Sequence, residues 1–182
     1  MSRITTPTSI ETSPTESQPL LLAVKKQIGS VPNLFRTIAN SPAALEGFLG
    51  LSGALAKGKL PAPTRERIAL AIAEVNACKY CLSAHTYLAK FVAKLDDAEI
   101  EANRRGGSND IMADAAVRFA VKVATQRGHV GDADVKALKD AGYDDGQIVE
   151  IVLHVAVNTW TNYLNEVVDT EIDFPVAAAL SK

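Results

Sequence analysis

The chain has 182 residues, of which 47% are hydrophobic and 22% charged, enough to bury one sizeable core without metals or disulfides. That composition excludes a disordered or low-complexity chain, and the longest apolar run, Ile68 to Ala73, is too short for a transmembrane helix. With 19 basic and 21 acidic residues the net charge is -2, which provides no electrostatic footprint for nucleic acid or an anionic membrane.

The first nineteen residues contain twelve Ser, Thr or Pro. Such a stretch buries too little apolar surface to offset its ordering entropy, so residues 1–19 read as a flexible arm able to dock on a neighbouring subunit. Residues 20–182 read as one helical domain. From Leu20 helix signals recur. Ser41 as N-cap and Pro42 in the first turn open a helix to about Lys57, before Gly58. Leu60 to Pro63 reads as a connector, and Thr64 as the cap of a helix with Ile68, Ala71, Ile72 and Val75 on one face. Asn76-Ala77 marks a break, because Asn favours caps over helix interiors. Cys78 to Lys94 continues as helix, and Asp96, Asp110 or Asp114, Asp132 and Asp144 cap four more. Seven or eight helices without any alternating strand pattern make the chain all-α.

Only two cysteines are present, in one C-x-x-C cluster. They are too few for a disulfide-built secreted scaffold, and no basic start followed by an apolar core marks a secretory signal, so a cytoplasmic protein is expected. In that setting the pair points to redox or metal chemistry.

The chemistry concentrates in Glu66-x11-Cys78-x2-Cys81-x3-His85. On a helix Cys78 and Cys81 are i and i+3, and Cys81 and His85 are i and i+4, so the three share a face. A dithiol of this spacing can close a short disulfide: one thiol attacks an oxidant and the other resolves the sulfenic acid. The attacking species is a thiolate, favoured by a helix N-terminus, Lys79 and His85. Glu66 lies about 18 Å from Cys78 along a straight helix, at ~1.5 Å per residue. It joins the site only if the chain folds back near Asn76, or if a second subunit supplies it.

Three other readings stand beside this one. The cysteines can be small buried apolar residues. Cys78, Cys81 and His85 supply three zinc ligands, with His129, His154 or a carboxylate needed as the fourth. Glu66 after a Thr64 cap can simply complement the helix dipole. His154 reads as a satisfied core histidine, His129 as exposed, Tyr80 as aromatic packing or a proton donor, and Trp160 with Tyr163 as core or subunit contact.

Val31 to His85, together with Thr159-Trp160-Thr161-Asn162-Tyr163 and Glu171-Ile172-Asp173-Phe174-Pro175, resembles the alkylhydroperoxidase D-like, peroxidase-related branch of the carboxymuconolactone decarboxylase superfamily. The resemblance spans nearly the whole chain after the arm, and Glu66, Cys78, Cys81 and His85 are its specific part. It implies an all-helical fold that forms trimers or hexamers. It further implies that Cys81 is the peroxidatic thiol, that Cys78 resolves it, and that Glu66 and His85 relay protons, with no metal, flavin or haem. Tyr80 stands where the best-studied branch has a histidine, so a relay here is shorter or differently wired. The implied activity is thiol-dependent reduction of small-molecule hydroperoxides, recycled by an external dithiol of lipoyl or thioredoxin-like type. The alternatives are a lactone decarboxylase of the same superfamily and a non-catalytic redox-sensing or assembly protein.

Overall fold

The computed structural model describes residues 2–180, which contain nine α-helices and no strand. A 3-10 turn at Thr15–Ser17 leads into α1 (Gln18–Ile28), α2 (Asn33–Ile38), α3 (Pro42–Leu55), α4 (Ala62–Val75) and α5 (Lys79–Phe91). These are followed by α6 (Asp97–Arg104), α7 (Ile111–Thr125), α8 (Asp132–Asp140) and α9 (Asp145–Val168). The count exceeds seven or eight because the segment before Ser41 is split. Gly29 takes φ 89° and ends α1, a left-handed conformation that glycine adopts without a Cβ clash. Pro32 then precedes α2.

The caps follow side-chain chemistry. Ser41, Asp96, Asp110 and Asp144 each accept a hydrogen bond from the backbone N–H three residues on, satisfying a donor that the first helical turn leaves orphaned. Two starts differ from expectation. Helix α4 begins at Ala62 after Pro61, because proline's fixed φ is already helical and its missing N–H costs nothing in a first turn. Thr64 therefore lies buried inside the helix instead of capping it. Helix α8 begins one residue earlier than read: Gly131 is its N-cap, and its N–H donates to Asp134 Oδ2 at 2.9 Å.

Helix α4 is the central element and packs against α5, α6, α7 and α9. Its Ile68, Leu70 and Ile72 are completely buried, with alanines between them, so neighbouring helices approach closely on every side. Ile68 and Ile72 join Phe119, Leu138, Tyr143, Ile151 and Val155 in the main core. Arg67 adds a polar lock, donating from Nε to Glu99 Oε1 at 2.6 Å. Glu99 also accepts from Asn103 and from the Asn109 N–H, fixing the α6–α7 connection.

The Ser/Thr/Pro-rich arm follows a defined path over its own domain. Arg3 donates from its backbone N–H to Val168 O and from its guanidinium to Glu166 O and Val167 O, capping the end of α9. Arg36 and Asn40 donate to Thr8 O and Thr5 O, and the buried Ser17 hydroxyl donates to Ala39 O at 2.8 Å. Polar satisfaction of its backbone, with Ile10 packed against the cluster of Leu21 and Leu45 and Pro7 buried, sets this path, and composition alone does not reveal it.

Candidate active site

Helix α4 ends in a tight reversal. The Ala77 N–H donates to Glu74 O and the Cys78 N–H to Ala73 O, with Ala77 at φ 53°. This is a Schellman arrangement with alanine in the position that glycine usually fills. Cys78, the residue that closes it, is also the N-cap of α5, and its Sγ accepts from the Cys81 N–H at 3.3 Å. One residue thus ends one helix and starts the next, and the dithiol sits at the N-terminus of α5.

The fold-back brings the four expected residues to one locus. Cys78 Sγ lies 2.6 Å from Cys81 Sγ, both as free thiols, and both are buried. One turn beyond Cys81, His85 Nδ1 lies 2.9 Å from Glu66 Oε2, each side chain 22% exposed. With Nδ1–H donating to the carboxylate, the opposite nitrogen, Nε2, is left to exchange protons. Glu66 stands beyond the first turn of α4, because that helix starts at Ala62. The helix dipole fades within one turn, so it does not account for a carboxylate here.

The two thiols are driven apart in acidity. Cys81 is pulled down to about 7: the Cys78 thiol donates to its sulfur, outweighing burial, and His85, Asn165 and Asn162 add to the stabilisation. Cys78 moves upward, because it is the donor in that contact and because it is buried. The pair therefore shares one negative charge, held on Cys81. Burial pulls His85 down, but the Glu66 carboxylate and the Cys81 thiolate outweigh it and leave its pKa raised.

Tyr80 is buried between the two cysteines in sequence but turned away from their chemistry. Its hydroxyl accepts from the Leu34 N–H at 3.1 Å and donates to Asp173 Oδ1 at 2.9 Å, and its ring meets Phe174 edge-on. Burial above all, with the Asp173 carboxylate, raises its pKa against the opposing pull of the Leu34 N–H, so it stays a neutral phenol. Of the two readings for Tyr80, the structure places it in packing: it staples the C-terminal segment to α2 and α5.

Two side chains not singled out as site residues complete the locus. Asn165 donates from Nδ2 to Cys81 Sγ at 3.2 Å, and Asn162, held by Asn76 at 2.9 Å, presents its carboxamide to the same sulfur. The signal available in the sequence was the spacing of Asn158, Asn162 and Asn165, which puts three asparagines on one face of a helix otherwise rich in apolar residues. Asn165 also lines a cleft of about 500 Å³ bounded by Lys79, Tyr80, Glu166, Asp169 and Thr170.

The remaining candidates lie elsewhere. His154 is buried in α9 with its Nε2 unpartnered, so it is a core histidine but not a satisfied one, and burial pushes its pKa down to about 4. His129 is exposed on the α7–α8 connection. Trp160 packs against Phe48, while Tyr163 is largely exposed. Among the described residues no three His, Cys, Asp or Glu side chains converge as metal ligands, and no helix is long and apolar enough to cross a membrane.

Fold and site together define an all-helical protein of AhpD-like architecture with a vicinal dithiol at a helix N-terminus. Residues 42–126, which carry the dithiol and Glu66, match the Carboxymuconolactone decarboxylase family, and the fold resembles that of AhpD-like proteins. It is similar to a peroxidase-related protein from Ralstonia eutropha JMP134, described as an alkylhydroperoxidase AhpD core. That match has a TM-score of 0.84 and 25% identity, covering 94% of this chain and 92% of the other. A peroxidase-related protein from Silicibacter sp. TM1040 shares the fold at a TM-score of 0.81 and 23% identity, covering 93% and 91%. The debrominase Bmp8, solved in complex with 2,3,4-tribromopyrrole, shares it at 0.79 and 22%, covering 95% and 94%. No curated protein matches the chain.

Proposed function

We propose that the protein reduces hydroperoxides through the Cys78/Cys81 pair. The observation that carries this reading is the 2.6 Å approach of the two sulfurs, one turn from a His85–Glu66 pair. A fold that also serves a debrominase does not choose the substrate, so the site must carry the argument.

In the proposed cycle the Cys81 thiolate attacks the terminal oxygen of ROOH. The O–O bond breaks, Cys81 becomes a sulfenic acid, and the alkoxide takes a proton from His85 Nε2 to leave as ROH. Glu66 holds the His85 ring and supports its charge. Cys78 then attacks the sulfenic sulfur, forming the disulfide and releasing water. An external dithiol reduces the disulfide, is itself oxidised to a disulfide, and returns both protein thiols. Cys78 is suited to resolution because it already donates to Cys81.

This cycle needs a reducing compartment, which is consistent with a cytoplasmic setting. Assembly into a trimer or hexamer is supported by an apolar stripe along α9, where Val149, Tyr163 and Val167 are each more than half exposed.

The test is peroxide consumption by the reduced chain with an organic hydroperoxide and a dithiol. Cys81→Ser removes turnover. Cys78→Ser permits one oxidation and then stalls, and undiminished turnover in that variant contradicts the two-cysteine cycle. Lactone decarboxylation that survives alkylation of both thiols supports the family's other chemistry instead. Slow stoichiometric oxidation without turnover marks a redox sensor.

A further inference from the structure

Helix α9 presents an unusual set of buried carboxamides. Asn162 is completely buried, Asn165 is 2% exposed, and both face the dithiol from across the molecule. An asparagine inside a helix costs helix propensity, and a buried carboxamide that is incompletely paired costs more. Both costs are present here: Asn162 Nδ2 and Asn165 Oδ1 are buried with no hydrogen-bond partner. The Asn76 contact gives Asn162 a role in the fold, but the Asn165 side chain pairs with Cys81, and a fold-only account leaves that carboxamide unexplained.

The orientation of the amides supplies the reason. Asn165 Nδ2 donates to Cys81 Sγ at 3.2 Å. Asn162 has its oxygen engaged by Asn76 Nδ2 at 2.9 Å, which leaves its own buried Nδ2 without a partner while Asn162 helps hold the Cys81 pKa down. Asn76 is the C-cap of α4, so the turn that places the dithiol also orients the amide that faces it. We propose that Asn165 and Asn162 form a carboxamide cradle that holds Cys81 as a thiolate, with Asn165 a direct donor, Asn162 a second donor and Asn76 a positioning residue. The inference rests on Cys81 being the reactive thiol of the proposed cycle, yet it concerns ionisation and not peroxide.

An amide cradle has a chemical advantage over a second cation. It stabilises the thiolate without pairing it in a full ion pair, so the sulfur keeps its nucleophilicity while Cys78 and His85 manage the protons. Asn165 also lines the cleft beside Lys79 and Tyr80, so one face of the cradle borders open space.

The test is the pH dependence of alkylation by iodoacetamide in the fully reduced full-length chain, with the modified cysteine identified by peptide mass and the thiolate followed by its ultraviolet absorbance. Asn165→Leu is expected to move the Cys81 profile upward by about one pH unit, making alkylation near pH 7 roughly fivefold slower. Asn162→Leu shifts it in the same direction, and Asn76→Ala reproduces the Asn162→Leu shift without touching sulfur. Should Asn165→Leu misfold, the smaller Asn165→Ala serves: it carries neither a donor nor a charge, and the profile again moves up. Folded Asn165 variants with a wild-type profile overturn the cradle. A shifted profile in a chain that consumes no peroxide keeps the cradle and removes the peroxidase reading, whereas normal turnover with an unmoved profile removes the cradle alone.

Discussion

Glu66 and His85, nineteen residues apart on antiparallel α4 and α5, meet at 2.9 Å between Oε2 and Nδ1. The contact exists only because the chain reverses at Asn76-Ala77. It sets the tautomer of His85, and with it which nitrogen trades protons with the thiol.

Glu66→Gln tests that relationship directly. Wild-type His85 titrates above the ordinary value of 6.5, because Glu66 and the Cys81 thiolate outweigh burial. Without the carboxylate, burial counts for more, and the His85 midpoint seen by NMR drops. In the same variant Cys81 loses part of its cationic neighbour, so its alkylation profile moves up. An unmoved His85 midpoint contradicts the pairing.

The turn makes a separate prediction. Ala77 is exposed and adopts φ 53°, a left-handed conformation that costs a non-glycine residue about 1–2 kcal/mol. Ala77→Gly relieves that cost but makes the unfolded chain more flexible, leaving a net gain of about 0.5–1 kcal/mol. Denaturant unfolding measures it, and a loss of stability means that the alanine methyl makes contacts of its own.

Tyr80→Phe separates architecture from chemistry. It removes the donor to Asp173 and leaves the Leu34 N–H without its acceptor, at about 1–3 kcal/mol. The melting temperature falls and amide exchange in residues 171–175 speeds up. The thiol titration stays where it was, whereas a shifted Cys81 profile shows Tyr80 to be part of the relay.

The dithiol also links stability to pH. Cys81 falls from 9.0 to about 7 on folding, so between those values the unfolded chain holds a proton that the folded chain has released, and stability rises with pH. The contribution is complete above pH 9 and lost as pH falls through about 7. Cys78 is displaced in the opposite sense, so above pH 9 the unfolded chain gives up a proton that the folded chain keeps, and stability declines. Urea unfolding under reducing conditions, wild type minus Cys81→Ser, should rise from pH 7 to 9. A flat difference contradicts the Cys81 shift.

Much of this was legible in the residues. Aspartates and a serine before apolar runs located four helix starts, because an N-cap is a local interaction. Helical spacing put Cys81 and His85 on one face of α5, but Cys78 is not the helical residue expected: it is the extended N-cap before Lys79, and the reversal needed near Asn76 is what places it there. Two kinds of feature were not legible. The start of α4 was misread because Pro61-Ala62-Pro63 suits a connector and a first helical turn equally well. The course of the arm and the approach of Asn165 to Cys81, 84 residues away, depend on tertiary packing that no local pattern encodes.

The measurement that tests the central claim most directly is a time-resolved count of free thiols on fully reduced protein given about one equivalent of an organic hydroperoxide. The account predicts rapid loss of both Cys78 and Cys81 per chain, one peroxide consumed, and full recovery of both thiols with a dithiol. Two persistent thiols beside unspent peroxide contradict it.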